Sequence, residues 1–68
     1  MRMEEAMVYV LVRRNGGMTT SQIADAINRE RLHVRRDGRP VTSSQVYAVA
    51  CRFPGMFIKE AGRIMLLI

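Results

Sequence analysis

The residues best equipped for chemistry in this chain are its cations. Ten of eleven basic side chains are Arg and only Lys59 is Lys, against six Asp and Glu, giving a net charge of +5 at pH 7. A guanidinium is planar and forked, so it engages phosphate oxygens and base edges in pairs where an ammonium offers a point charge. The composition therefore suggests a polyanionic partner, while net charge alone also describes basic domains that bind no nucleic acid. Three of the arginines, Arg35, Arg36 and Arg39, fall within five residues of each other. Other chemistry is thinly provided. Cys51 and His33 are each the single residue of their type, too few for a zinc site and without the paired base and acid that activate a nucleophile. One cysteine builds no intramolecular disulfide, which points to a reducing, cytoplasmic setting, nucleoid-associated if the chain binds DNA. No phosphate-binding or dinucleotide glycine motif is present. The expectation is no enzyme, no metal, no cofactor and no small-molecule substrate.

Sixty-eight residues make one domain with one core, and a chain of this size buries only about 60% of the surface its unfolded form exposes. A binding surface is more readily built than an enclosed active site. Glu4 and Glu5 interrupt any secretory pattern ahead of the apolar run Ala6 to Val12. No stretch approaches the roughly 18 apolar residues of a membrane span, so no membrane partner is expected.

The elements that must position the cations follow from periodicity and caps. Met3, Ala6, Met7, Val10 and Leu11 recur at helical spacing, acids precede them and Arg13 and Arg14 follow, and Asn15-Gly16-Gly17 suits a helix end. Val8, Tyr9 and Val12 make this segment apolar nearly all round, which also fits a strand or a helix whose second face meets another chain. Its length of about thirteen residues favours the helix. The next two segments share a grammar: Met18-Thr19-Thr20-Ser21-Gln22-Ile23 and Val41-Thr42-Ser43-Ser44-Gln45-Val46. Each reads as a capping box inside a hydrophobic staple, with Thr accepting from the backbone three residues on and Gln reaching back. Helices are predicted from Thr20 to about Arg31, with Ile23, Ala24 and Ile27 inward, and from Ser43, with Val46, Val49, Ala50 and Phe53 inward. Between them Asp37-Gly38 marks a turn and Pro40 an extended chain. Pro54-Gly55 ends the last helix. Met56–Lys59 and Arg63–Leu67 then read as a hairpin across a three-residue loop, Glu60-Ala61-Gly62, closed by a bulge. Met3, Met7, Met56 and Met65 are expected as core filler.

Three helices followed by a hairpin resemble the winged helix-turn-helix domain, and the residues from Met18 to Leu67 carry the resemblance. Within that class Met18–Ala24, Gln45-Val46, Phe53-Pro54-Gly55-Met56-Phe57 and Ile64-Met65-Leu66 are similar to the HARE-type helix-turn-helix group, found beside DNA-processing enzymes and in transcription-associated proteins. Two features depart from the pattern. The connection between the second and third helices is about ten residues rather than the three or four of the tight motif, and Glu30-Arg31 stand where a glycine commonly ends the second helix. The resemblance implies an α+β, mainly α domain over residues 1–68: a three-helix winged helix-turn-helix with a C-terminal β-hairpin wing.

It also implies double-stranded DNA as partner, with the third helix in the major groove. The helical wheel puts Ser44, Ala48 and Cys51 on the solvent face, with Tyr47 and Arg52 on its flanks. Small side chains permit close approach to bases. The expected contacts are Ser43, Ser44 and Tyr47 on the helix, Arg52 at its end, Arg35, Arg36 and Arg39 on a phosphate strand, and Lys59 with Arg63, facing one another across the hairpin, in the neighbouring groove. Thr19 and Thr42 are read as caps and His33 as an exposed loop residue. The competing reading is a protein-interaction module or small homodimer without nucleic-acid binding. Val8, Tyr9 and Val12 offer the surface for a homodimer on either reading.

Overall fold

In the computed structural model, residues 1–67 are described. Three helices, α1 (Met3–Arg14), α2 (Thr20–Glu30) and α3 (Ser43–Arg52), are followed by an antiparallel hairpin of β1 (Phe57–Glu60) and β2 (Arg63–Leu66). The fold is α+β and mainly helical, in the expected order. α1 forms because its buried side chains are the five of the apolar stripe, Met3, Ala6, Met7, Val10 and Leu11. Glu5 accepts a 2.9 Å hydrogen bond from the Arg2 N–H at its start, and Asn15 ends it in the left-handed conformation, φ 56°. Thr19 caps α2 and Thr42 caps α3, each hydroxyl accepting from the N–H three residues on.

α2 ends without glycine. Arg31 itself adopts φ 53°, and its N–H and that of Leu32 donate to Asn28 and Ile27, the paired bonds of a Schellman closure. Leu32 packs against the core, which anchors a conformation that costs an L-residue about 1–2 kcal/mol. The three helices converge on Met7, Ile23, Ile27, Val10 and Val46, with Phe57 and Ile64 closing the core from the hairpin. Ala26 is buried as well, widening α2's inner face beyond the expected Ile23, Ala24 and Ile27. Met3, Met7 and Met18 lie in the core and Met56 packs against it, whereas Met65 is half-buried beside the α1–α2 connection.

The hairpin corrects its expected turn. Glu60 pairs with Arg63, so the loop is two residues, Ala61 and Gly62, at φ 52° and 77°. Two successive left-handed residues make a tight hairpin turn whose twist matches that of the strands, which outweighs the cost of placing Ala61 there and removes the need for a bulge. The register puts Lys59 opposite Ile64, not opposite Arg63. Because side chains alternate along a strand, Lys59 and Arg63 point to opposite faces of the ribbon. On the other edge of β2, Met18 exchanges two backbone hydrogen bonds with Ile64, at 3.0 and 2.7 Å. That bridge brings the chain before α2 so close to β2 that a Cβ on Gly17 would stand 3.0 Å from Met65 and 3.3 Å from the Arg63 Cβ.

Candidate nucleic-acid interface

α3 is short enough that its caps decide its direction, and a clamp decides its position. The Asn28 side chain, on α2, donates to the Val41 carbonyl at 2.9 Å and accepts from the Val41 N–H at 2.8 Å. One amide thus pairs both backbone groups of the residue just ahead of the α3 cap, while Val41 buries its side chain. The connection, residues 31–42, is therefore tied at its far end. It is also folded internally: Asp37 accepts from the Arg39 N–H and from the Arg35 guanidinium, both at 3.0 Å, and the Gly38 N–H donates to the Arg35 carbonyl.

Held this way, α3 buries Val46, Val49 and Ala50 and half-buries Phe53. Ser44, Tyr47, Ala48, Cys51 and Arg52 are exposed, as the wheel requires, and Ser43 is half-buried. Tyr47 and Arg52 stand on opposite shoulders, about 140° apart around the helix. On the Tyr47 shoulder Lys59 arrives from β1, its Nζ 4.8 Å from the Tyr47 ring centre and 3.0 Å from Cys51 Sγ. The hydrogen bond to Cys51 holds the Lys59 ammonium above the ordinary lysine range, so it is charged at neutral pH. On the other shoulder Arg52 borders a cleft with Arg2, Glu4 and His33. A second cleft, about 280 Å³, brings His33, Arg35, Arg36 and Asp37 against Gln45 in the first turn of α3. The small-residue face is thus bordered by cations on both sides.

The nine candidate residues divide. Ser43, Ser44, Tyr47 and Arg52 lie on or beside the α3 face, Lys59 leans over it, and Arg36 reaches its flank from the connection. Arg35 shares that flank, but its guanidinium bonds Asp37 and the Pro40 carbonyl, so it braces the loop and is paired locally with a carboxylate. Arg39 is exposed and lines a separate cleft with Asn28 and Arg31. Arg63 leaves the group: on the opposite face of the ribbon from Lys59, it donates to the Gly17 carbonyl at 3.0 Å and fastens the hairpin to the α1–α2 connection. The expected clamp of Lys59 with Arg63 does not form.

Three residues acquire roles that the sequence pattern did not reveal. His33 is half-buried rather than exposed, its Nδ1 2.7 Å from the Met1 carbonyl, joining the chain start to the connection. Arg31 adds a cation beside Arg39. Gln45 does not reach back to complete the second capping box; its Oε1 is buried and accepts no hydrogen bond among the described residues. A Gln three residues after a Thr cap reads the same in both helices, and only the neighbouring connection distinguishes them.

Among the described residues no group of three His, Cys, Asp or Glu side chains is placed to hold a metal ion, and no helix is long and apolar enough to cross a membrane. No family model, curated protein or solved structure matches the chain.

Proposed function

We propose that this chain is a double-stranded DNA-binding module of winged helix-turn-helix type, serving transcriptional regulation or the targeting of a DNA-processing assembly. One observation carries the reading: the exposed face of α3 is built of Ser44, Ala48 and Cys51, with Arg36 and Arg52 on one side and Lys59 with Tyr47 on the other. Small side chains let a helix sink into the major groove. Cations on both shoulders meet the phosphate strands that border that groove, which fixes orientation without reading sequence. Ser44 is the side chain best placed for a base edge. A single module of this size would cover about 600–1,000 Å² and bind weakly alone.

Fluorescence anisotropy with a random-sequence duplex tests it. Affinity should fall steeply between about 50 and 200 mM salt, and each phosphate contact removed should flatten the log–log slope by about 0.9. Replacing Arg36, Arg52 and Lys59 together by Ala should lower the slope by more than two, while Arg63→Ala should leave it unchanged. No binding at tens of micromolar in low salt, where non-specific association of basic domains is ordinarily measurable, would reject the reading. The alternative, a protein-interaction module, draws its support from the apolar surface of α1 at Val8, Tyr9 and Val12.

A further inference from the structure

Tyr9 and Val12 lie on the solvent side of α1, 44% and 58% exposed, in a helix whose other apolar side chains are buried or half-buried. With Met1 and half-buried Val8 they floor a shallow apolar cleft of about 680 Å³ whose charged walls, among the described residues, are Glu5 and Arg13. A second groove, lined by Leu11, Val12, Met65 and Leu66 together with Asn15 and Gly16, continues it past Val12 toward the hairpin. A contiguous apolar strip is a candidate contact surface, and its flanking charges bear on what would contact it.

Glu5 lies four residues before Tyr9 and Arg13 four residues after it. The two charges are therefore about 12 Å apart along the axis, on one face, equidistant from Tyr9 and opposite in sign. A two-fold axis perpendicular to α1 beside Tyr9 brings Glu5 of one copy to the axial level of Arg13 of the other, twice, within reach of the long Arg side chain. Parallel alignment would instead oppose Glu5 to Glu5 and Arg13 to Arg13. Self-complementarity of one patch under a two-fold axis is what an isologous dimer requires, whereas a foreign partner needs no such antisymmetry. The Arg13 guanidinium is already extended over the Tyr9 ring, 5.1 Å from its centre, and held there by Glu30. Two of its nitrogens serve Glu30, and a guanidinium carries five N–H donors in all.

We infer that α1 packs antiparallel against α1 of a second copy of this chain, with Tyr9 at the two-fold axis and Glu5 facing Arg13 across it. The strip is one short helix face, so the buried area falls at the small, weak end of specific interfaces. This dimer stands independently of the DNA reading, since it uses a different helix and is measured without DNA.

Sedimentation equilibrium of the full chain, over a range bracketing a Kd of about 10 µM to 1 mM, is the test. The wild type is expected to self-associate. Val12→Lys, at a site too exposed to disturb the core, should weaken association about tenfold or more by setting a charge in the apolar seam. Glu5→Arg and Arg13→Glu should each weaken it alone, and an equimolar mixture of the two should recover it, because the altered charges are then opposite across the axis. A wild type monomeric throughout overturns the inference, as does Val12→Lys indistinguishable from it. A mixture of the charge variants that stays as weak as each variant alone overturns the antiparallel geometry. If Arg13→Glu unfolds through loss of the Glu30 contact, Val12→Lys and Glu5→Arg decide the question by themselves.

Discussion

The starts of α2 and α3 are two copies of one local sequence, Thr-x-x-Gln between apolar residues, and they end in different states. At α2 the box closes: Thr19 accepts from Gln22 and the Gln22 side chain accepts from the Thr19 N–H, at 3.1 and 3.0 Å. At α3 only the Thr half forms, at 3.2 Å, and Gln45 is drawn down toward the connection that carries Arg35 and Arg36, its oxygen left without a partner. The capping residues are the same in both, so the surroundings account for the difference. The α2 start faces outward beside β2 and is a finished piece of scaffold. The α3 start has the connection folded over it, and leaves the Gln45 oxygen without a partner beside Arg35 and Arg36. Unsatisfied buried oxygens are uncommon in native folds and cost stability.

The comparison can be broken most forcefully at the link between the two helices. Asn28→Ala strips Val41 of both its backbone partners in a partly buried setting and should cost about 2–3 kcal/mol, with the amides of the first turn of α3 losing exchange protection before those of α2. Equal loss in both helices would mean the clamp supports the whole fold and not the placement of α3. The Gln residues sharpen the contrast by sign. Gln22→Met should destabilise by about 1 kcal/mol, because it orphans the Thr19 N–H, while Gln45→Met should stabilise by a similar amount by replacing an unpaired buried oxygen. Urea unfolding of the two variants checks this, and the same sign in both would show that the two starts are energetically alike.

The smallest effect concerns the far end of α2. The Arg13 hydrogen bond holds the Glu30 carboxyl below its ordinary value, so the unfolded chain binds this proton more readily and stability rises with pH there. The contribution is complete above the unfolded glutamate value of about 4.3 and is lost as pH falls through the folded one. Glu30→Gln should make the acid limb of the stability profile slightly shallower, measured by thermal unfolding from neutral pH downward. An unchanged limb would remove the pair from the account of how α1 and α2 are joined. Since both groups are solvent-exposed, screening keeps the effect small.

Helix order, the inner face of α1 and both Thr caps were legible in the sequence because each is set by residues within four positions of one another. The hairpin turn was not, for a local reason: a glycine at the last of three loop positions usually marks a bulge, and nothing in Ala61 announces a left-handed residue. That one-residue change in loop length moved Arg63 off the Lys59 face. The rest of the site failed to show because it is long-range. Asn28 looks like any polar residue on a helix surface until Val41, thirteen positions on, is brought beside it. Arg35, Arg36 and Arg39 look equivalent in a run, and only the fold of the connection turns Arg35 onto Asp37 and Arg39 toward Arg31. The exposed face of α3 was readable from the wheel, but its cationic border needed the tertiary structure.

The most direct measurement is a titration of the isotope-labelled chain with a random-sequence duplex, followed by amide and Arg side-chain NMR shifts residue by residue. Shifts should concentrate at Ser44, Tyr47, Ala48, Cys51 and Arg52, extend to Arg36 and Lys59, and spare Arg63 and the Val8, Tyr9 and Val12 side of α1. Perturbation confined to α1, or spread evenly over the surface with α3 no different from the rest, would contradict the placement of the duplex on α3.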